Sequence, residues 1–289
     1  MKHTIDQYLD HYAEPEAKNR QPLNRPFGHV VVIPAYDEPL EFAQAMLSSL
    51  GSDVLMIVVV NVPDHIDPQS PMYRRSKTLL QQLDAPNLLA VDRVNRPIPK
   101  NQGVGLARKI GADMALGYIR DGMIVEPYIY SVDADVELPN GYIPAMPRAD
   151  GTYLYSYRHV STDPEVLRRA QLYELHMRYY VAGLRLAGSP YAFHTLGSTI
   201  SVSAIAYAQV RGFPRRDAAE DFYFLNKLSK VSKIRVMGSP EIIINARASH
   251  RVPFGTGPSI ASITEPDACY LSYNPHSVSY THLTLPTKA

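Results

Sequence analysis

The chain of 289 residues carries 29 Lys and Arg against 28 Asp and Glu, and 45% of its residues are hydrophobic. That length supports one large α/β domain or two modest ones, and the balanced charge removes the electrostatic case for a nucleic-acid partner or for strong adhesion to anionic lipid. The single cysteine, Cys269, excludes an intrachain disulfide and gives no sign of an oxidising compartment.

Residues 1–27 are polar, with a short helix expected near Thr4 to Tyr12 and then a Pro-containing lead-in, and they read as a surface arm without chemistry. Lys2, His3, Asp6 and Asp10 leave no apolar run there, so no secretory signal is expected. From Val30 the pattern changes. Val30–Ile33 reads as a strand ended by Pro34, and Leu40, Ala43, Met46, Leu47 and Leu50 give helical spacing over Pro39–Leu50. The unit recurs as a strand at Val54–Val60, a helix at Met72–Leu83, a strand at Leu88–Val91 and a helix at Val104–Ile119. Such alternation predicts a parallel sheet with helices on both faces. The longest apolar run, Val54–Val60, falls far short of the roughly 20 residues of a membrane helix. No integral membrane segment is expected, and the expected location is cytoplasmic or membrane-peripheral.

A fourth strand, Tyr128–Val132, runs into Asp133-Ala134-Asp135. It places two carboxylates at the carboxyl end of a central strand, where ligands of open α/β sheets bind. Beyond it come a strand at Thr152–Tyr157 and a long helix opened by Asp163-Pro164-Glu165 and ending near Gly188, with a capping Asp and a first-turn Pro as its start signal. A strand at Leu196–Val202, a helix at Ser203–Val210 stopped by Gly212 and a helix at Glu220–Leu228 follow. Tyr173, Tyr179, Tyr180 and Tyr191 read mostly as core rather than as a sugar platform. No internal repeat or long linker splits the chain, which reads as one compact domain in two halves.

Aspartates at i and i+2 of a strand end can point to one side and bind a hard divalent cation, Mg²⁺ or Mn²⁺, of the kind that neutralises a diphosphate leaving group. Such pairs are also common on solvated turns; the position after three strand–helix units favours the metal. Gly103-x-Gly105 has Arg108 where a dinucleotide fingerprint needs a third small residue, and it follows a polar loop, so no nicotinamide site is expected. Glu220 and Asp221 open a helix, where acids complement the dipole; a carboxylate there can equally take a proton from a hydroxyl.

Four segments occur in the order found in family 2 glycosyltransferases of the GT-A fold, over about Val30 to Gly257. Val31-Val32-Ile33-Pro34-Ala35-Tyr36-Asp37-Glu38 resembles the opening strand and nucleotide-contacting turn, with Asp37 where Asn is usual. Asn101-Gln102-Gly103-Val104-Gly105-Leu106-Ala107-Arg108 is similar to the segment that passes beside the nucleotide. Ser131-Val132-Asp133-Ala134-Asp135 resembles the metal motif, and Ala219-Glu220-Asp221-Phe222 the acceptor-side motif whose aspartate serves as base.

The resemblance implies a GT-A type α/β fold. A Rossmann-like nucleotide half with a mostly parallel sheet flanked by helices would cover about 28–137, and an acceptor half about 138–258. Residues 259–276 would be a truncated C-terminal segment, and 277–289 resemble translated sequencing-library adapter, a non-native tail. The implied activity is hexosyltransferase-like: transfer from a nucleotide-diphospho-sugar to a glycan, lipid-linked or small-molecule hydroxyl, with inversion and with Asp221 as general base. Mn²⁺ or Mg²⁺ would be held by Asp133, Asp135 and His250. Nucleotide and substrate contacts fall on Pro34, Ala35, Tyr36, Glu38, Asn61, Lys100, Gly103, Arg108, Asp133, Gly197, Glu220 and Arg251, with Lys100 or Arg108 near phosphate. Arg247 and Arg251 would hold the diphosphate while the loop from Pro253 to Pro258 closes. His194-Thr195-Leu196-Gly197-Ser198 lies where the family contacts acceptor or sugar, and Gly197 would permit close backbone approach.

Two rivals stand beside this reading. A nucleotidyltransferase forming nucleotide-sugars would open with a Gly-rich, Arg-containing loop where Pro34–Glu38 stands. A non-catalytic carbohydrate-binding module would need neither the aspartate pair nor a base.

Overall fold

A computed structural model describes residues 2–143, 151–247 and 256–263. His250, Arg251, the first half of the loop from Pro253 to Pro258, Cys269 and the segment 277–289 lie outside the described residues.

The chain opens with two helices, α1 (Lys2–His11) and α2 (Pro15–Lys18). Then come β1 (His29–Ala35), α3 (Glu41–Leu50), β2 (Val54–Pro63), α4 (Pro71–Gln82), β3 (Leu88–Ile98), α5 (Gly103–Arg120) and β4 (Tyr128–Ser131). The next elements are β5 (Val136–Glu137), β6 (Thr152–Val160), α6 (Pro164–Leu186), a 3-10 turn at Gly197–Thr199, β7 (Ile200–Ser203) and α7 (Ala204–Gln209). Last are α8 (Glu220–Leu228), β8 (Ile234–Asn245) and α9 (Thr256–Ser262).

The fold is α/β, with an eight-stranded mixed sheet in the order β3-β2-β1-β4-β7-β6-β8-β5, flanked by helices. Parallel pairing joins β3 to β2, β2 to β1 and β1 to β4, with Val32 opposite Ile57 on one side and Ser131 on the other. The sequence reading extends parallel order further than this, since β7 runs antiparallel to both β4 and β6. Apolar runs encode burial and not direction, so the reversal leaves no trace in composition. β2 is buried from Val54 through Val62, as a strand with neighbours on both sides and helices against it must be. Each such Val or Ile contributes about 1.5–3 kcal/mol on burial. β3 lies at the edge and carries Arg93, Asn95, Arg96 and Pro97, residues that discourage further pairing.

Packing divides the described chain into two units. One takes residues up to Ser156 together with Leu196–Ile242; the other takes Tyr157–Thr195 and the chain from Ile243 onward. In the second unit Asp163 caps α6 by accepting from the Glu165 and Val166 amides, and Ala170, Ala246 and Ile260 form its small core with Val166. In the first, residues 1–27 do not form the expected surface arm. Ile5, Tyr8 and Ala17 are buried, and α1 and α2 pack on α5, with α1 also on α7. Among the described residues no helix is long and apolar enough to cross a membrane.

Candidate functional site

α5 is the organising element, because every residue from Gly105 to Tyr118 is buried. A helix enclosed on all sides cannot leave a charge unpaired without losing several kcal/mol, so Arg108, Lys109 and Asp113 must each find partners. Arg108, 3% exposed, does so by gathering three distant segments. Its Nε donates to Glu220 Oε1 at 2.8 Å, at the start of α8. Nη1 donates to Ser131 Oγ at 2.8 Å, at the end of β4, and to the Gly197 carbonyl at 3.5 Å. Nη2 donates to Asp133 Oδ1. Gly197 is required here, since a Cβ at that position would collide with the guanidinium.

Burial alone would loosen the Arg108 proton, but the Asp133 and Glu220 carboxylates outweigh it and hold the guanidinium protonated beyond its ordinary range. Burial pushes the Glu220 carboxyl up, and Arg108 pulls it back. The Asp221 carboxyl is pushed up to about 7, first by burial and then by the negative charge of Glu220, against a backbone hydrogen bond from Phe222 at 2.7 Å. Asp221 is half-buried and the Asp133 side chain is 34% exposed, so both keep access to solvent. A carboxyl raised toward neutrality in the first turn of α8, with access to solvent, is suited to accept and release a proton.

The chain enters α8 through three residues at positive φ: Arg211 at 63°, Gly212 at 68° and Ala219 at 57°. This loop rests on the start of α5. A Cβ on Gly105 would collide with the Pro214 carbonyl and the Arg216 backbone, and the Gly105 amide donates to the Arg216 carbonyl at 2.9 Å. Gly103 abuts the Asp217 backbone in the same way. The close approach that these glycines permit is thus occupied by the chain's own loop.

The other expected residues gather by strand end. Pro34 and Ala35 finish β1, buried, and Ala35 lies opposite Val60, which lies opposite Asp92, so the carboxyl ends of β1 to β3 run side by side. Tyr36 donates its hydroxyl to Met72 Sδ at 3.6 Å. Asp37, at φ 56°, accepts Arg75 Nε and Nη2 at 2.7 and 2.9 Å; Glu38 is buried. Asn61, 5% exposed, has a buried Oδ1 with no donor among the described residues. Asp92 is spent on a local turn, accepting from the Val94 and Asn95 amides. Lys100 is exposed in the loop before α5, and Asp135 is half-buried two residues past Asp133. His194 belongs to the second unit, 3.4 Å from the Tyr157 hydroxyl; burial, aided by Arg178, lowers its imidazole to about 4.

Sequence reasoning missed what lies behind the site. Lys109, 4% exposed, donates to Asp113 Oδ2 at 2.8 Å and to the Tyr8 hydroxyl at 2.5 Å. Asp113, fully buried, also accepts the Tyr8 and Tyr207 hydroxyls at Oδ1 and the Glu14 amide at Oδ2. Glu14 in turn accepts Arg215 Nε at 2.8 Å, six residues before Asp221. The available signal was Asp113 itself, an acid amid small and apolar residues of a long helix, which demands buried donors from elsewhere.

Among the described residues no three His, Cys, Asp or Glu side chains gather to hold a metal ion. No family model and no curated protein matches the chain. Among solved structures it is similar to the crystal structure of a mycobacterial protein, at 15% identity and a TM-score of 0.41, over 83% of this chain and 68% of that one.

Proposed function

We propose that the chain is a glycosyltransferase of the family 2, GT-A type. It would move a sugar from a nucleotide-diphospho-sugar to a hydroxyl acceptor, with Asp221 as general base. The observation that carries this reading is the Arg108 guanidinium, which ties Asp133 to Glu220 and so joins two motifs far apart in sequence beside the end of β4. In the step itself the acceptor O–H gives its proton to the Asp221 carboxylate as the acceptor oxygen bonds to the anomeric carbon. The bond from that carbon to the diphosphate oxygen breaks, and its electron pair leaves with the nucleoside diphosphate. Burial and the Glu220 charge make Asp221 basic enough to take that proton.

The donor set fits a divalent cation of the Mg²⁺ or Mn²⁺ kind in one particular mode. Such ions bind through one or two carboxylates completed by substrate phosphates and waters, and Asp133, oriented by Arg108, with the half-buried Asp135 two residues on, would supply them. When bound, the cation would neutralise charge growing on the diphosphate. Asp133 and Asp135 would hold it, and His250 is a further candidate ligand.

The test is nucleoside diphosphate release from a panel of UDP-, GDP- and dTDP-sugars with Mn²⁺ or Mg²⁺, with and without chelator. Release from one donor, abolished by chelator and in Asp135→Ala, is the expected outcome. No release from any donor, together with no nucleotide binding, would overturn the reading in favour of a non-catalytic protein.

A further inference from the structure

Asp221 is followed by two aromatic side chains that the packing of α8 does not use. Phe224, Leu225 and Leu228 fill the core, whereas Phe222 is 49% and Tyr223 41% exposed. The exposed pair is nevertheless built in place. The two rings meet edge to face, with centroids 5.4 Å apart and planes at 85°. The Arg216 guanidinium lies 3.8 Å from the Tyr223 ring centroid, and the Arg216 carbonyl is itself fixed by the Gly105 amide. Tyr223 is therefore stacked under a cation, and Phe222 is braced against it beside Asp221, whose Oδ1 accepts the Phe222 amide.

We propose that Phe222 is the acceptor platform: the acceptor is a glycan or glycoside that lays the C–H-lined face of a sugar ring on the Phe222 ring and offers a hydroxyl to Asp221. This rests on the transferase reading and narrows its acceptor class. The face of an aromatic ring is electron-rich and a sugar's axial C–H groups are weakly positive, so the two stack without any ionic partner. An exposed aromatic adjacent to the proton acceptor then has a purpose that a polar helix surface would not serve.

Binding of methyl glucoside, methyl galactoside and methyl mannoside is measured by saturation-transfer NMR on wild type, Phe222→Ala and Phe222→Trp, with melting temperature as the folding control. At least one glycoside should bind, about tenfold more weakly in Phe222→Ala, and Phe222→Trp should restore it. In turnover assays the acceptor KM should rise by the same factor while the donor KM holds. Failure of every glycoside to bind wild type, or equal binding by Phe222→Ala, overturns the platform. Use of glycerol or a polyprenyl phosphate as acceptor, with a KM insensitive to Phe222, would sink the platform and leave the transferase standing. Glycoside binding that depends on Phe222, in a chain that releases no nucleoside diphosphate, would do the reverse.

Discussion

Lys109 and its partners form a closed set, whereas Arg108, the residue before it, belongs to a set that reaches solvent. Asp113 receives four donors, from Tyr8, Tyr207, Lys109 and the Glu14 amide, which is the full capacity of a carboxylate. Around Arg108 the carboxylates outnumber the cations: Glu220, Asp133 and Asp221 crowd one guanidinium, and Asp221 is pushed up to about 7 as a result of burial and that crowding. Complete pairing makes a brace; deliberate under-compensation makes a proton acceptor. The same helix therefore carries a structural and a chemical solution to charge burial on adjacent residues.

The largest expected effect breaks the open set. Asp221→Asn should cut nucleoside diphosphate release in the presence of acceptor by about 10²–10⁴-fold, the usual worth of a positioned base, at a melting temperature no lower than that of wild type. Near-normal turnover would remove Asp221 from the mechanism. Breaking the closed set should instead cost stability. Asp113→Ala leaves Lys109 buried beside two unpaired hydroxyls, and urea unfolding should register a loss of about 3–5 kcal/mol.

The comparison sharpens with pH. The Asp221 carboxyl is ordinarily near 3.8 and is raised to about 7 in the fold. Between those values the folded chain binds more protons than the unfolded one, so stability should fall as pH rises through that window and level off above it. The rate should rise over the upper part of the same window, with its midpoint near 7, because only the deprotonated carboxylate accepts the acceptor proton. Urea midpoints that show no such slope in wild type, or an identical slope in Asp221→Asn, would assign the titration elsewhere. Smallest of all is Arg215→Ala. Its side chain is 50% exposed and Lys109 Nζ remains 3.9 Å from the buried Glu14 carboxylate, so losing the pair with Glu14 should cost about 1 kcal/mol in the same urea assay.

Local signals located much of this architecture. Glu220–Leu228 was legible as a helix to the residue, and Asp163-Pro164 marked the start of α6 through capping chemistry that needs no tertiary context. The apolar runs of β1 and β2 were equally plain, as was the placement of Asp133 and Asp135 after the fourth strand. Leu196–Val202 read as one strand, but its first part is a 3-10 turn, because Gly197 must pass against Arg108 before β7 can begin. Arg108 read as a phosphate contact because an arginine after a glycine-rich turn has that meaning by default; only three dimensions show its donors already engaged by Glu220, Ser131, Gly197 and Asp133. The first helices looked like solvated chain since their burial rests on a tyrosine hydroxyl and a glutamate, whose partners lie about a hundred residues away.

Placing the two networks on consecutive positions also fixes the register of α5. Neighbouring residues on a helix point about 100° apart, so inserting or deleting one residue ahead of Arg108 would swing the guanidinium away from Glu220 and Asp133 and, in the same rotation, Asp113 away from the Tyr8 and Tyr207 hydroxyls. Both networks would fail together. Change in this segment is confined to substitution; its length is as fixed as its charges.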